Sequence, residues 1–311
     1  MKTVLVTPRS LSAGGHPLLE QIREAGYSVV FPAPGAQPTS EQLVAAMEGA
    51  VGWLAGVEPI TPAVLDQAKD LKVISRNGSG VDNIPLDSAA AHGITVRRAE
   101  GANARGVAEL AFGHVLSASR HIPSAVAALS TGRWFREKGF ELDGKTLGLI
   151  GCGRIGREVA RFGLAFGMKV LGYDPYPDPA FAPAPGFAWA TLPEVLAASD
   201  VVSLHCPPNP DGSPVIDAAA LAAMKPGVVV VNTARESVVD WGAMKAALDG
   251  DRVSCYTVDA FDHEPPESYE MPMHPRVLAT PHVGGFTDES IDRATRLAVS
   301  NLLDSLAEGG A

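Results

Sequence analysis

Cysteine is scarce in this 311-residue chain: Cys152, Cys206 and Cys255 stand far apart, with no CxxC pair. That spacing excludes a disulfide framework and a thiolate zinc site, and it fits a reducing compartment. Positive charge is also short. With 25 Lys and Arg against 35 Asp and Glu the formal net charge is −10, so no basic stripe is present to neutralise nucleic-acid phosphates. A few local arginines can still hold an anionic metabolite, and the overall balance bears mainly on solubility. No apolar run approaches the ~20 residues of a spanning helix, and the N-terminal run Thr3–Thr7 has neither the charged region nor the cleavage site of a signal peptide. A cytoplasmic protein is expected, with no metal and no nucleic-acid or membrane partner. No internal repeat is evident.

Apolar residues are plentiful, 46% of the chain, enough at this length for two cores of ordinary size. Residues 1–98 alternate short apolar runs (Val4–Thr7, Ser28–Phe31, Val51–Leu54, Leu71–Ser75, Ile94–Val96) with helical stretches (Pro17–Ala25, Glu41–Met47, Pro62–Lys69, Leu86–Ala91). That rhythm predicts a small parallel α/β domain. Asn103–Ser119 reads as one helix with Val107, Leu110, Ala111, His114, Val115 and Ala118 on a single face. His114 there reads as a packed, hydrogen-bonded histidine. His121–Asp143, with Trp134 among Arg133, Arg136 and Lys138, reads as an irregular surface arm or a dimer contact. Asp200–His205, Val228–Asn232 and Val253–Val258 are further strands, and Asp217 and Asp240 stand as N-caps for Ala218–Met224 and Trp241–Leu248.

Between these regions lies Thr146–Tyr176. The apolar run Leu147–Ile150 leads into Gly151-Cys152-Gly153-Arg154-Ile155-Gly156, a helical spacing of Ile155, Val159, Phe162, Ala165 and Phe166, a second apolar run Val170–Tyr173, and Asp174. Strand, glycine turn, helix, strand and acid in that order form the dinucleotide-binding fingerprint. Gly151 permits the tight turn, Gly153 lets backbone approach a pyrophosphate, and Gly156 lets the helix lie against the strand. The helix N-terminus offers N–H groups to phosphate. Asp174 suits an adenosine ribose and repels a 2′-phosphate, so NAD is favoured over NADP. The expected fold class is therefore α/β, two Rossmann-like doubly wound parallel-sheet domains. A discontinuous, flavodoxin-like substrate domain takes 1–98 plus the amphipathic segment 285–311, which has no sheet of its own, and an NAD-binding domain takes 99–284.

Three stretches end strands of the second domain: Asn232–Arg235, Asp259–Glu264 and Thr280–Gly285. Together they supply a cation, an acid and a histidine near where nicotinamide would lie. Hydride exchange with a 2-oxo acid needs such a set: a fixed guanidinium for the carboxylate, a histidine to move the hydroxyl proton, and a carboxylate to orient the imidazole. His263 beside Glu264 rivals His282 for the proton-transfer role. In the first domain, the Gly78-Ser79-Gly80 turn after a strand can form an anion-binding nest.

The motifs RNGSGVDNI (76–84), GLIGCGRIGREVA (148–160), YDPY (173–176), NTARESVVD (232–240), DAFDHEPP (259–266) and TPHVGGFT (280–287) resemble, in order and over nearly the whole chain, the D-isomer-specific 2-hydroxyacid dehydrogenases, and within them the short phosphoglycerate type. The resemblance implies that His282 is the acid/base, Glu264 its carboxylate partner, and Arg235 the holder of the substrate carboxylate, with Ser79 and Gly80 as the supporting backbone nest. It places Arg154 and Ile155 at the pyrophosphate, Asp174 at the ribose and Asp259 near the nicotinamide amide. Cys206, Thr233 and Ala234 fall at further cofactor contacts, Cys206 where Thr is common. It implies hydride transfer between NADH and C2 of the oxo acid in a homodimer whose domains close to exclude water.

Two departures stand out. Glu236-Ser237 replaces a common Gly-Gly after the catalytic Arg, and no Arg is present near Ala55, in Leu54-Ala55-Gly56-Val57, where the resemblance implies a phosphate-binding Arg of phosphoglycerate enzymes. Arg76 and Arg136 match other cationic positions around that phosphate, Arg136 from a partner subunit. Hydroxypyruvate, glyoxylate and a sulfonated acid are therefore alternative substrates to phosphoglycerate. An NAD-sensing corepressor and a methyltransferase nucleotide loop are the readings outside this class. The first would need long tails that this chain lacks, and the second leaves Arg235, Glu264 and His282 without purpose.

Overall fold

Successive side chains of a strand point to opposite faces of its sheet, and here the central strands are apolar on both faces. Val4, Val6, Leu54 and Val73 point to one side of their sheet, while Leu5, Trp53, Ala55 and Ile74 point to the other. Strands of that kind need cover on both sides, which is the situation of a parallel sheet flanked by helices. The computed structural model describes residues 2–13 and 16–308, and the chain forms two compact units, Met1–Asn103 with Asp288–Ala311, and Ala104–Thr287.

In the first unit β1 (Thr3–Val6), β2 (Ser28–Val30), β3 (Ala50–Ala55), β4 (Val73–Arg76) and β5 (Thr95–Arg98) pair in the order β2-β1-β3-β4-β5, all parallel. The helix Asp288–Glu308 covers one face of this sheet with Ala294, Ala298, Val299, Leu302 and Leu306. Ser75 Oγ donates to the Ala298 carbonyl at 2.7 Å. Gly52 allows the close approach, because a Cβ there would stand 3.0 Å from Leu302 Cδ1.

In the second unit β6 (Thr146–Ile150), β7 (Lys169–Tyr173), β8 (Phe187–Trp189), β9 (Val201–Leu204), β10 (Val228–Asn232), β11 (Val253–Val258) and β12 (Val277–Ala279) pair in the order β12-β11-β10-β9-β6-β7-β8, again all parallel. One face (Leu147, Leu149, Val201, Val229, Val231) packs under the helices Ala104–Ser119 and Arg154–Ala165. The other (Ile150, Val202, Leu204, Val228, Val230) packs under Leu192–Ala198, Ala218–Ala223 and Trp241–Asp249. The strand order reverses between β6 and β9, which is where doubly wound sheets open a crevice for ligands.

The two Asp caps form as expected: Asp217 accepts from Ala220 N at 2.8 Å and Asp240 from Ala243 N at 3.0 Å. One expectation fails. Part of His121–Asp143 is regular, a helix over Ile122–Ser130 with Pro123 in its first turn. Its apolar stripe, Ile122, Val126 and Leu129, faces outward, so the pattern that marks a packed helix elsewhere has no core of its own unit beneath it. The helix Leu192–Ala198 is an addition to the expected elements, and Thr191 and Glu194 start it with a capping box. The strands β8 and β12, three residues each, are too short for alternation to declare them. No helix among the described residues is long and apolar enough to cross a membrane.

Candidate active site

The turn after β6 is shaped by what its glycines leave out. Gly151 has φ +93°, and a Cβ on it would stand 2.6 Å from the His205 carbonyl after β9; one on Gly156 would stand 2.1 Å from Gly151 O. Any side chain at either position breaks the close contact between turn, helix and neighbouring strand. Gly153 differs, because a Cβ there would meet open space. It is the N-cap of Arg154–Ala165 and has no capping side chain, so the first N–H groups of that helix are available to an anion. Arg154 is exposed at the opening of the helix, and Ile155 packs its side chain into the core beneath.

Asp174, at the end of β7, accepts from Cys152 N and from Tyr176 N, both at 2.9 Å, which holds its carboxylate beside the glycine turn. This donor set, open backbone N–H groups with a fixed acid one strand away, fits a dinucleotide with a free ribose diol. His205 lies under the turn between Ser203 Oγ (2.9 Å) and Thr233 Oγ1 (3.4 Å), and desolvation lowers its imidazole to about 3. It is a neutral brace between β9 and β10, and no motif in the sequence singles it out. Burial pushes the thiols of Cys152, Cys206 and Cys255 up to about 12, 11 and 12, so none is a thiolate nucleophile near neutral pH.

The ends of β10, β11 and β12 carry side chains of a different kind. Arg235 follows β10 on a loop organised by Asn232, whose Nδ2 donates to Arg235 O (2.7 Å) and to the Tyr256 hydroxyl (3.0 Å), and whose Oδ1 accepts from Ala234 N (3.0 Å). Asn232 belongs to the NTAR stretch but is not among the site residues expected from sequence. Thr233 and Ala234 lie between it and Arg235. The replacement Glu236-Ser237 binds this loop to the next one. Glu236 Oε2 accepts from Asp262 N at 3.2 Å and Ser237 Oγ donates to Asp262 Oδ1 at 3.1 Å.

Glu264, after β11, accepts from Phe261 N at 3.1 Å, and its Oε1 lies 2.7 Å from His282 Nδ1. Desolvation acts to raise the Glu264 carboxyl, but the hydrogen bonds from His282 and Phe261, with the charges of His282 and Arg235, hold it below the usual carboxylate range. His282, and not His263, is thus the partner of Glu264. Both members of the pair are partly open to solvent, their side chains 44% and 38% exposed. His282 takes φ +52°, a left-handed conformation that costs a non-glycine residue about 1–3 kcal/mol and is found where surrounding contacts impose it. Asp259 is buried and turned onto this loop: His282 N donates to its carbonyl at 2.8 Å, Val283 N to Oδ1 and Gly284 N to Oδ2 at 2.9 Å each, and Thr280 Oγ1 to Oδ1 at 2.6 Å.

In the first unit, Ser79 Oγ contacts Asn103 Oδ1 at 3.0 Å and accepts from Gly101 N at 3.2 Å, while Gly78 takes φ +155°. Among the described residues the Ser79 and Gly80 N–H groups meet no acceptor. Arg76 ends β4 with Nη1 donating to Asn77 O at 2.6 Å. Ala55, near which the resemblance implied a phosphate-binding Arg, ends β3; Gly56 and Val57 follow, then Glu58, whose buried carboxylate accepts from Gly56 N at 3.0 and 3.1 Å and from the Thr7 hydroxyl. Arg136 is exposed on the stretch after the helix Ile122–Ser130. No group of His, Cys, Asp or Glu among the described residues is arranged to hold a metal ion.

Residues 112–284 match the model of the D-isomer specific 2-hydroxyacid dehydrogenase, NAD binding domain, and the cofactor of this chain is NAD. Over 260 residues the chain is 40% identical to D-3-phosphoglycerate dehydrogenase of Mycobacterium tuberculosis, covering 83% of this chain and 49% of that protein. The chain therefore spans about half the length of the curated relatives it matches. Among solved structures it is similar to the TT0316 protein from Thermus thermophilus, with TM-score 0.87, 35% identity, and 98% and 97% of the two chains covered. A glyoxylate reductase from Paecilomyes thermophila matches with TM-score 0.86, 27% identity and coverage of 99% and 96%.

Proposed function

We propose, on the premise that this chain belongs to the D-isomer specific 2-hydroxyacid dehydrogenase family, that it interconverts a D-2-hydroxy acid and its 2-oxo acid with NAD. The observation that carries the reading is the His282–Glu264 pair, 2.7 Å apart beside the charge of Arg235, at the ends of adjacent strands. When bound, the cofactor would accept the hydride as NAD in oxidation and give it back as NADH in reduction. His282 takes the hydroxyl proton in one direction and returns it in the other. Glu264 engages Nδ1 and so fixes the ring, leaving Nε2 available for the substrate oxygen. Arg235 grips the carboxylate, where a guanidinium makes two parallel hydrogen bonds, and the Ser79 and Gly80 amides of the first unit are a nest for a substrate anion. Gly151, Gly153, Arg154, Ile155 and Gly156 hold the pyrophosphate and Asp174 the ribose, with Cys206, Thr233, Ala234 and Asp259 lining the remainder. The first unit is the substrate-binding domain and the second the NAD-binding domain.

Sequence similarity to a D-3-phosphoglycerate dehydrogenase points to 3-phosphoglycerate as the leading substrate, with Arg76 and a partner's copy of Arg136 as cations for its phosphate. Buried Glu58, three residues beyond Ala55, favours a second reading, an unphosphorylated acid such as hydroxypyruvate or glyoxylate, because a carboxylate at that strand end repels a dianionic tail. A homodimer is proposed on the outward stripe Ile122, Val126 and Leu129 with Trp134, which is 83% exposed. A cytoplasmic location is proposed on the reducing habit of three separated thiols.

The test follows NADH absorbance with phosphohydroxypyruvate, hydroxypyruvate, glyoxylate and sulfopyruvate. Turnover of at least one is expected, and silence with all four favours a binding protein. His282→Ala is expected to lower kcat by about 10²–10⁴-fold while NADH still binds. Near-normal turnover in that variant moves the proton-transfer role elsewhere, to His263 first.

A further inference from the structure

His114 is buried in the helix Ala104–Ser119, between two hydroxyls: Nδ1 lies 3.1 Å from Thr257 Oγ1 and Nε2 lies 3.3 Å from Thr280 Oγ1. The polarity of each contact is settled by the next group along. Asp259 takes three hydrogen bonds on its carboxylate, among them the one from the Thr280 hydroxyl at 2.6 Å. A hydroxyl has one proton, so Thr280 Oγ1 offers His114 only lone pairs and His114 Nε2 must carry hydrogen. Desolvation lowers the His114 imidazole, against the raising effect of Asp259, so the ring is neutral, Nδ1 is an acceptor, and the Thr257 hydroxyl donates to it. The result is a one-directional series, Thr257 to His114 to Thr280 to Asp259.

Asp259 is the end of that series and also the anchor of three consecutive amides, those of His282, Val283 and Gly284. The left-handed backbone of His282 is therefore held by a residue whose carboxylate orientation depends on Thr280 and, one bond further back, on His114. We propose that His114 and Thr280 are positioning residues for the proton-transferring histidine: they set the rotamer of Asp259 and through it the loop that presents His282. This rests on the reading of His282 as the acid/base. Buried, fully satisfied polar series specify one geometry, and removing one member leaves its neighbours unpaired.

The test uses the full chain, with NADH and the oxo acid it reduces best. Thr280→Val and His114→Leu are expected to lower kcat by about 10–100-fold, the range for small misplacements of a reacting group, while KM for the oxo acid and NADH affinity stay within about twofold. Thr280→Ser and His114→Gln restore the series, since Gln supplies an acceptor and a donor together; both are expected to recover most of kcat. Thr280→Val removes one hydroxyl at constant shape, so it decides the matter if His114→Leu does not fold. Wild-type kcat in Thr280→Val, or an equal loss in Thr280→Val and Thr280→Ser, overturns the proposal. A fully active His282→Ala instead overturns the reading beneath it, so the two failures are told apart.

Discussion

The two sheets reverse strand order at comparable places and fill those places in opposite ways. In the second unit the reversal lies between β6 and β9, and the chain supplies glycine there; Gly153 faces open space and the helix behind it has no capping side chain. In the first unit the reversal lies between β1 and β3, and the chain supplies its own anion. Glu58, 1% exposed, takes the Gly56 amide with both oxygens and the Thr7 hydroxyl with one, while Trp53 Nε1 donates to Thr7 Oγ1 at 2.9 Å. A strand-end amide is a potential anion site in either sheet, and whether it can serve a ligand depends on whether a side chain has already claimed it. Topology marks the position; local occupancy decides its use.

The comparison breaks most severely if the open turn is closed. Gly156→Ala puts a methyl 2.1 Å from Gly151 O, a backbone atom that cannot give way. Overpacking of this kind costs about 1–3 kcal/mol, and NADH affinity, read by fluorescence titration, is expected to fall by at least about tenfold. Unchanged affinity would mean that the tight turn is not what binds the cofactor.

The claimed site in the first unit breaks next. Glu58→Ala removes the carboxylate that takes the Gly56 amide and the Thr7 hydroxyl, leaving those donors only their longer bonds to Thr7 Oγ1 (3.2 Å) and the Leu54 carbonyl (3.3 Å). The loss of buried hydrogen bonds is expected to cost about 0.5–1.5 kcal/mol in denaturant unfolding. Glu58→Gln separates charge from hydrogen bonding. Desolvation raises the Glu58 carboxyl above its ordinary value, offset in part by Thr7, Gly56 and Arg76. A raised acid binds its proton more tightly folded than unfolded, so its contribution is greatest below the ordinary carboxyl pKa and declines as pH rises towards the folded value. Wild type is therefore expected to lose stability relative to Glu58→Gln as pH rises from about 4.5. A difference constant across that range removes Glu58 from the account.

The smallest effect sharpens the open site. Asp174→Ala removes the carboxylate beside the ribose and leaves Cys152 N without its side-chain acceptor. The preference for NADH over NADPH is expected to narrow by about 1.5 kcal/mol, roughly tenfold, in paired kcat/KM measurements. An unaltered preference places the discrimination elsewhere.

The nucleotide half of the site is readable in the chain because strand, turn and helix follow one another without interruption; the approach of Gly151 to the His205 carbonyl is the part that only the fold supplies. The Arg235, Glu264 and His282 stretches are readable as chemistry, each at a strand end, and the resemblance assigns their roles. Their supports are not readable. Asn232 is visible only as part of a motif, and Glu236-Ser237 looks like a lost Gly-Gly rather than a tie to Asp262. The Ile122–Ser130 helix has helical spacing in Ile122, Val126 and Leu129, but it is short and runs into the charged, aromatic stretch 133–138, so the segment as a whole reads as irregular; that the stripe turns outward is visible only in the fold.

Residue order alone determined the α/β rhythm, the glycine turn and the kinds of reactive group at the strand ends, since periodicity, turn chemistry and residue type act over a few neighbours. Only the tertiary structure decided which groups meet. Glu264 met His282 across 18 residues rather than the adjacent His263, Glu58 reached Thr7 across 51, and His114 met Thr280 across 166. Hydrogen bonds over such separations exist because parallel strands bring distant loops to one edge of a sheet and a covering helix lies against them, and no local pattern in the chain encodes that convergence.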